Sequence, residues 1–128
     1  MLESFMKELA KELELENSLT SEVPGVYVFS LDEDIKIYIS TISQGIYFEC
    51  TFSPTESSQQ EILYTNLLLA NLFGEGTNGA TIGLTEEGKA LRLSQLINAN
   101  TNYKSFKETL EDFINIVDFW NEEVLTYK

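Results

Sequence analysis

The sequence predicts an α+β fold with elements in the order α-β-β-β-α-β-β-α. Three observations carry this. Near the C-terminal end, Phe106, Leu110, Phe113, Val117, Trp120 and Val124 recur at intervals of four and three, the period of a one-sided helix. Earlier, Ile35, Ile37 and Ile39, then Ile46, Phe48, Cys50 and Phe52, recur at every second position, the period of a half-buried strand. Only short polar stretches, Asp32-Glu33-Asp34 and Ser43-Gln44-Gly45, separate the strands, which implies an antiparallel meander. A chain of 128 residues suits one domain, 1–128, that buries about two thirds of its extended surface.

In chain order, Leu2, Phe5, Met6, Leu9 and Leu13 form one stripe of a helix over 2–16, with Glu3, Lys7, Glu8, Lys11 and Glu12 on the other side. Ser18 to Gly25, closing on Pro24-Gly25, reads as a loop. Val26 to Leu31, β-branched and aromatic, is the first strand; Lys36, Tyr38 and Ser40 alternate with the isoleucines of the second, and Tyr47, Glu49 and Thr51 with the apolar face of the third. Ser53-Pro54-Thr55-Glu56 has the makings of a helix start: Ser53 as cap, Pro54 in the first turn, Glu56 completing a capping box. That helix runs to about Phe73, with Gly74 as its stop. Ile62, Leu63, Leu67, Leu69, Ala70 and Phe73 span more than one stripe, and Leu68 and Leu72 widen it. A helix apolar nearly all round needs cover on two sides, one of them a second protomer. Residues 80–85 and 89–96 form a hairpin, Asn98 to Asn102 a polar loop, and 103–124 the last helix, with 125–128 frayed.

Composition excludes several kinds of protein. Eight Phe, six Tyr and one Trp argue against disorder. Eight basic against 21 acidic residues leave a net charge of −13, which repels phosphate backbones and anionic membranes and suits a basic or apolar partner. With no histidine, Ser-His-Asp and Cys-His catalysis is ruled out; with Cys50 alone, so are an intrachain disulfide and a cysteine zinc cage. The first residues lack a basic stretch followed by an apolar one, and the apolar run around Leu67–Phe73 is too short to span a bilayer, so the expected compartment is the cytoplasm.

Each motif has a plainer reading beside the functional one. Gly74-Glu75-Gly76-Thr77-Asn78-Gly79 matches the dinucleotide glycine pattern, but a helix precedes it and a strand follows. That is the reverse of what aims helix-end amides at a pyrophosphate, so a helix-to-strand loop is the better account. Asp32-Glu33-Asp34 lacks the glycine and the distant glutamate of a calcium loop, and like Glu86-Glu87 reads as a solvated turn. An enzyme working with paired carboxylates is the remaining catalytic reading, though none of the 21 acids lies in an obviously apolar stretch. Cys50 shares a strand face with Ile46, Phe48 and Phe52 and reads as core. Tyr27, Tyr38 and Tyr47 fall opposite, or partly opposite, the aliphatic faces. They line either an exposed sheet surface fit for a peptide or the rim of the core.

The element order, the acidic chain and the Leu-rich central helix together resemble class I type III secretion chaperones of the CesT/SycE kind. Leu67-Leu68-Leu69-Ala70-Asn71-Leu72-Phe73, a glycine-rich loop and Ala80-Thr81-Ile82-Gly83-Leu84 carry the likeness, which extends over essentially the whole chain. It implies helices on one face of an antiparallel sheet. It also implies a homodimer joined through Leu63, Leu67, Ala70, Asn71, Ala80, Ile82 and Leu84. The client would be the N-terminal segment of a secreted effector, held in extended form on apolar patches that include Leu2, Phe5, Leu9, Val28, Ile37 and Phe48, with an edge strand able to accept another. The role needs no cofactor, metal or catalytic residue, and release falls to the secretion machinery and its ATPase. An adaptor or regulator of the same fold outside secretion is the alternative.

Overall fold

The computed structural model describes residues 2–12, 19–23, 25–31, 35–43, 45–54, 60–73, 80–85 and 90–125. Its elements are α1 (Leu2–Glu12), β1 (Leu19–Val23), β2 (Val26–Ser30), β3 (Lys36–Ile42), β4 (Gly45–Pro54), α2 (Gln60–Phe73), β5 (Thr81–Leu84), β6 (Ala90–Asn98) and α3 (Tyr103–Leu125). The six strands form one sheet in the order β1-β2-β3-β4-β6-β5, every neighbouring pair antiparallel.

Two elements differ from the sequence expectation. The stretch read as a loop before Gly25 contains a strand: β1 pairs with β2, Leu19 against Phe29 and Val23 against Val26. Gly25, at φ 83°, supplies the left-handed backbone that a tight reversal between the two strands requires. The expected helix start is a strand end. Ser53 and Pro54 belong to β4 and pair with Leu91 and Ala90 of β6. The β3 ladder against β4 ends at Ile37 opposite Cys50, so beyond it β4 has a neighbour on one side only, and a proline without an N–H is tolerated there. Thr55 and Glu56 lie outside the described residues, as do Leu13, Asp32–Asp34, Gly74–Gly79, Glu86–Gly88 and 126–128.

One face of the sheet carries the core. Ile37, Ile39, Ile46, Phe48, Cys50, Leu91 and Leu93 are fully buried there. They meet Leu2, Phe5, Met6 and Leu9 of α1 and the whole apolar seam of α3, Phe106, Leu110, Phe113, Val117, Trp120 and Val124. Phe48 is the hub, packing edge-on to Phe106 at 5.8 Å and to Phe113 at 5.5 Å between ring centres. Phe5 joins the same stack 5.2 Å from Phe106. α3 is well started: the Asn102 side chain accepts the Ser105 N–H at 2.9 Å, an N-cap from the loop read as polar. α2 packs at the far edge of the sheet, against β5, through Leu63 and Leu67.

Candidate functional site

The register sorts the strand residues into two faces. Tyr27 and Phe29 share the inner face with Ile39 and Ile37, their partners on β3. Val28, Tyr38, Glu49, Ser94 and Thr81 lie in line across the outer face, and Val26, Ser40, Tyr47 and Leu96 in a second row beside it. Among the described residues no helix covers this outer face. Tyr38 is 47% exposed, Leu96 46% and Ile42 40%, with Val26, Val28 and Tyr47 half-buried among them. So Tyr38 and Tyr47 stand on the surface offered to solvent, whereas Tyr27 turns inward and packs against the core. The face is not wholly apolar. Glu49 and Arg92 form an ion pair at 3.1 Å, and Lys36 and Thr81 are exposed.

The second uncovered surface is α2. Leu63 and Leu67 face inward, but Ile62, Leu68 and Leu69 are 55%, 69% and 49% exposed. Leu84 at the end of β5 is 47% exposed and borders the same hollow as Leu68. Between the two elements lies a surface hollow of about 180 Å³ lined by Tyr64, Leu67, Leu68, Asn71, Ile82 and Leu84, almost entirely apolar. Large side chains left outside in such a cluster are the usual mark of a surface that meets another protein.

The residues singled out from the sequence divide accordingly. Of the expected client contacts, Leu2, Phe5, Leu9, Ile37 and Phe48 are all in the core, which corrects that expectation: helices and sheet use these side chains on one another, leaving no surface for a client. Val28 alone lies on the outer face. Of the expected dimer contacts, Leu63, Leu67, Ala80 and Ile82 are buried within the chain, Ala70 is half-buried against the core, and Leu84 is exposed. Asn71 uses both ends of its carboxamide inside the chain: its Nδ2 donates to the Ile82 carbonyl at 2.7 Å and its Oδ1 accepts the Ile82 N–H at 2.8 Å. Ile62, Leu68 and Leu69 take the exposed positions. Their signal was the breadth of the apolar band on α2, which cannot face one core.

Charge ties the end of α1 to α3. Lys107 Nζ lies 2.7 Å from Glu12 Oε2; this contact, and after it the nearby Tyr103, holds the Glu12 carboxyl below its ordinary value, and the Glu12 carboxylate in turn holds the Lys107 ammonium above its own. The Tyr103 hydroxyl is buried without a well-aligned hydrogen bond. That burial, then the Glu12 carboxylate, pushes it up to about 12. Among the described residues no group of His, Cys, Asp or Glu is arranged to hold a metal, and no helix is long and apolar enough to cross a membrane.

An antiparallel sheet backed by helices, with apolar side chains exposed on its outer face and on a flanking helix, offers surfaces on which another protein can dock. Comparison with known proteins agrees. The Tir chaperone protein (CesT) family model matches residues 4–121, so the chain belongs to that family and is a chaperone of the type III secretion kind, a family of chaperones rather than enzymes. A Chlamydia pneumoniae protein is 27% identical over 125 residues, covering 94% of this chain and 93% of that one. Among solved structures, a chain of the ExsC–ExsE complex matches with a TM-score of 0.76 at 16% identity, over 94% of this chain and 91% of that one. One of the HopA1–SchA chaperone–effector complex matches at 0.73 and 16%, over 94% and 93%. One of the heterodimeric ExoU–SpcU complex from the type III secretion system of Pseudomonas aeruginosa matches at 0.69 and 13%, over 99% and 97%.

Proposed function

We propose that the chain, acting as one unit over 1–128, is a cytoplasmic homodimer that binds the N-terminal segment of a secreted effector in extended form and keeps it soluble until the secretion machinery and its ATPase take it over. The observation that carries the reading is the bare outer face of the sheet, where Tyr38, Ile42 and Leu96 are exposed beside Val28 and Tyr47. An extended segment laid on such a face gains apolar contact along its length, and this offsets the several kcal/mol needed to order a disordered chain. The net charge of −13 keeps the loaded complex apart from its neighbours and suits a client with basic residues. Dimerisation is supported by Ile62, Leu68, Leu69 and Leu84, which cluster on the opposite flank from β1 and β2 and so leave the outer face open.

The test is capture without nucleotide. Immobilised protein is offered N-terminal segments of the secreted proteins encoded beside it, and retention is expected in buffer free of ATP. Tyr38→Asp combined with Leu96→Asp should weaken retention at least tenfold while the circular dichroism spectrum stays the same. Failure to retain any of these segments overturns the proposal, and so does full retention by the double variant for the face assigned.

A further inference from the structure

β5 is an edge of the sheet, since the strand order ends there. An edge strand presents unpaired N–H and C=O groups to any extended chain, and native proteins close such edges by some device. β5 is four residues long, and its partners on β6 are Ser94, Leu93, Arg92 and Leu91. The groups of Ile82 point away from β6. Its N–H reaches Asn71 Oδ1 at 2.8 Å and its carbonyl receives Asn71 Nδ2 at 2.7 Å. The carboxamide of one side chain therefore meets Ile82 with the same donor and acceptor pair that a residue of a seventh strand would bring.

We infer that Asn71 closes the β5 edge by standing in for that strand, so that neither a second copy of this chain nor an extended client can lengthen the sheet at β5. Alternation makes one residue enough. Of the four residues of β5, Ile82 and Leu84 turn their backbone groups outward, and an incoming strand needs successive outward pairs. With Ile82 occupied, no run remains. A partner that meets α2 and β5 must then do so through side chains, Leu68 and Leu84 among them, while β1 is left as the other end of the sheet. The sequence offers no sign of this: the family resemblance assigns Asn71 to the contact between two copies, not to the backbone of its own chain. Ile82 is 4% exposed, so the pair sits where an unpaired backbone group would be costly.

The inference is independent of client binding and is read by amide hydrogen exchange on the whole chain. In the wild type, the Ile82 N–H should exchange about tenfold more slowly than that of Leu84, which points the same way and meets no side-chain acceptor among the described residues. Asn71→Ala should remove that difference and leave the Gly83 amide, which faces β6, unchanged. It should also form concentration-dependent species larger than the wild type's in sedimentation. Asn71→Asp, similar in shape, keeps an acceptor for the Ile82 N–H and loses the donor to its carbonyl, so it should retain slow exchange at Ile82. Equal exchange at Ile82 and Leu84 in the wild type overturns the inference without recourse to a variant. So does an Asn71→Ala protein with unchanged Ile82 exchange or wild-type sedimentation. A chain that binds no client at all can still pass or fail these measurements, which separates this inference from the proposed function.

Discussion

If α2 joins two copies, Leu68→Glu should separate them. The exposed parts of Ile62, Leu68, Leu69 and Leu84 amount to about two whole aliphatic side chains per copy. Burying a Leu or Ile contributes about 1.5–3 kcal/mol, so a two-fold symmetric contact gathers about 6–12 kcal/mol in all. Association itself costs about 4–15 kcal/mol in lost freedom, so the contact has little to spare. Leu68, 69% exposed, supplies about 1–2 kcal/mol per copy and twice that per dimer. Its loss alone raises Kd by about 30- to 1,000-fold, and a glutamate there adds a carboxylate to desolvate. Glutamate is a good helix former, and Leu68 faces solvent in the single chain, so folding should be preserved. Sedimentation equilibrium over a concentration series reads the constant, and Phe119→Glu, equally disruptive of exposed apolar surface but on α3, should leave it unchanged. Because so small a surplus gives a Kd of micromolar or weaker, the series extends to high concentration, and a wild-type chain that sediments as a monomer throughout it refutes the reasoning. A Leu68→Glu chain that dimerises as tightly as the wild type refutes the assignment to α2.

Other consequences are simpler. Phe48→Ala empties the centre of the ring stack with Phe106 and Phe113 and should cost about 3–5 kcal/mol in urea unfolding; a loss under about 1 kcal/mol would contradict its place as hub. Gly45 has a φ of 151° and no room for a side chain, because a Cβ would overlap the Ile97 carbonyl oxygen. Gly45→Ala should destabilise by more than about 2 kcal/mol, visible as a lower Tm. The Glu12–Lys107 contact has a defined pH window. A carboxyl held low contributes stability present above the ordinary carboxylate range and lost as pH falls through the lowered value. A lysine held high contributes stability lost as pH rises through the raised one. Tyr103, raised to about 12, binds its proton more tightly folded than unfolded, so stability falls between pH 10 and 12. Glu12→Gln should flatten the acid limb and Tyr103→Phe the alkaline one in thermal melts, and unchanged limbs would refute the assignments.

Where the sequence pattern was strong and one-sided, it placed residues correctly. Every member of the α3 seam is buried, and the alternation of Ile37, Ile39, Phe48 and Cys50 marks the inner face of the sheet. β1 was hidden because Thr20, Ser21 and Glu22 break any apolar alternation, and its pairing comes from the reversal at Gly25 rather than from its own composition. Ser53-Pro54 misled because the same residues suit the end of a strand and the start of a helix, and only the neighbouring ladder decides between them. The functional surface was less legible for a related reason. Periodicity says which residues share a face but not which face is left bare. Phe5 and Phe48 have the chemistry of client contacts, and it is the arrival of α3 between them that removes them from water. The surplus on α2 was readable, because no single core can satisfy a helix apolar on both sides.

Charge then decides how the two bare surfaces are used. Two copies carrying −13 each repel at long range, and α3 adds an acidic outer side through Glu108, Glu111, Asp112 and Asp118. Only a contact dense in apolar area overcomes that repulsion at short range, which favours α2 over the outer face, where Glu49, Arg92 and Lys36 interrupt the apolar patch. Salt screens exposed charges beyond about 8–10 Å at physiological strength. The dimer should therefore tighten as salt is raised from low to physiological concentration, while capture of a client segment rich in lysine or arginine weakens over the same range. Opposite salt slopes, measured on one preparation by sedimentation and by peptide binding, would place the two contacts on different surfaces with different physics. Parallel slopes would mean that the same apolar area serves both, and the division argued above would fall.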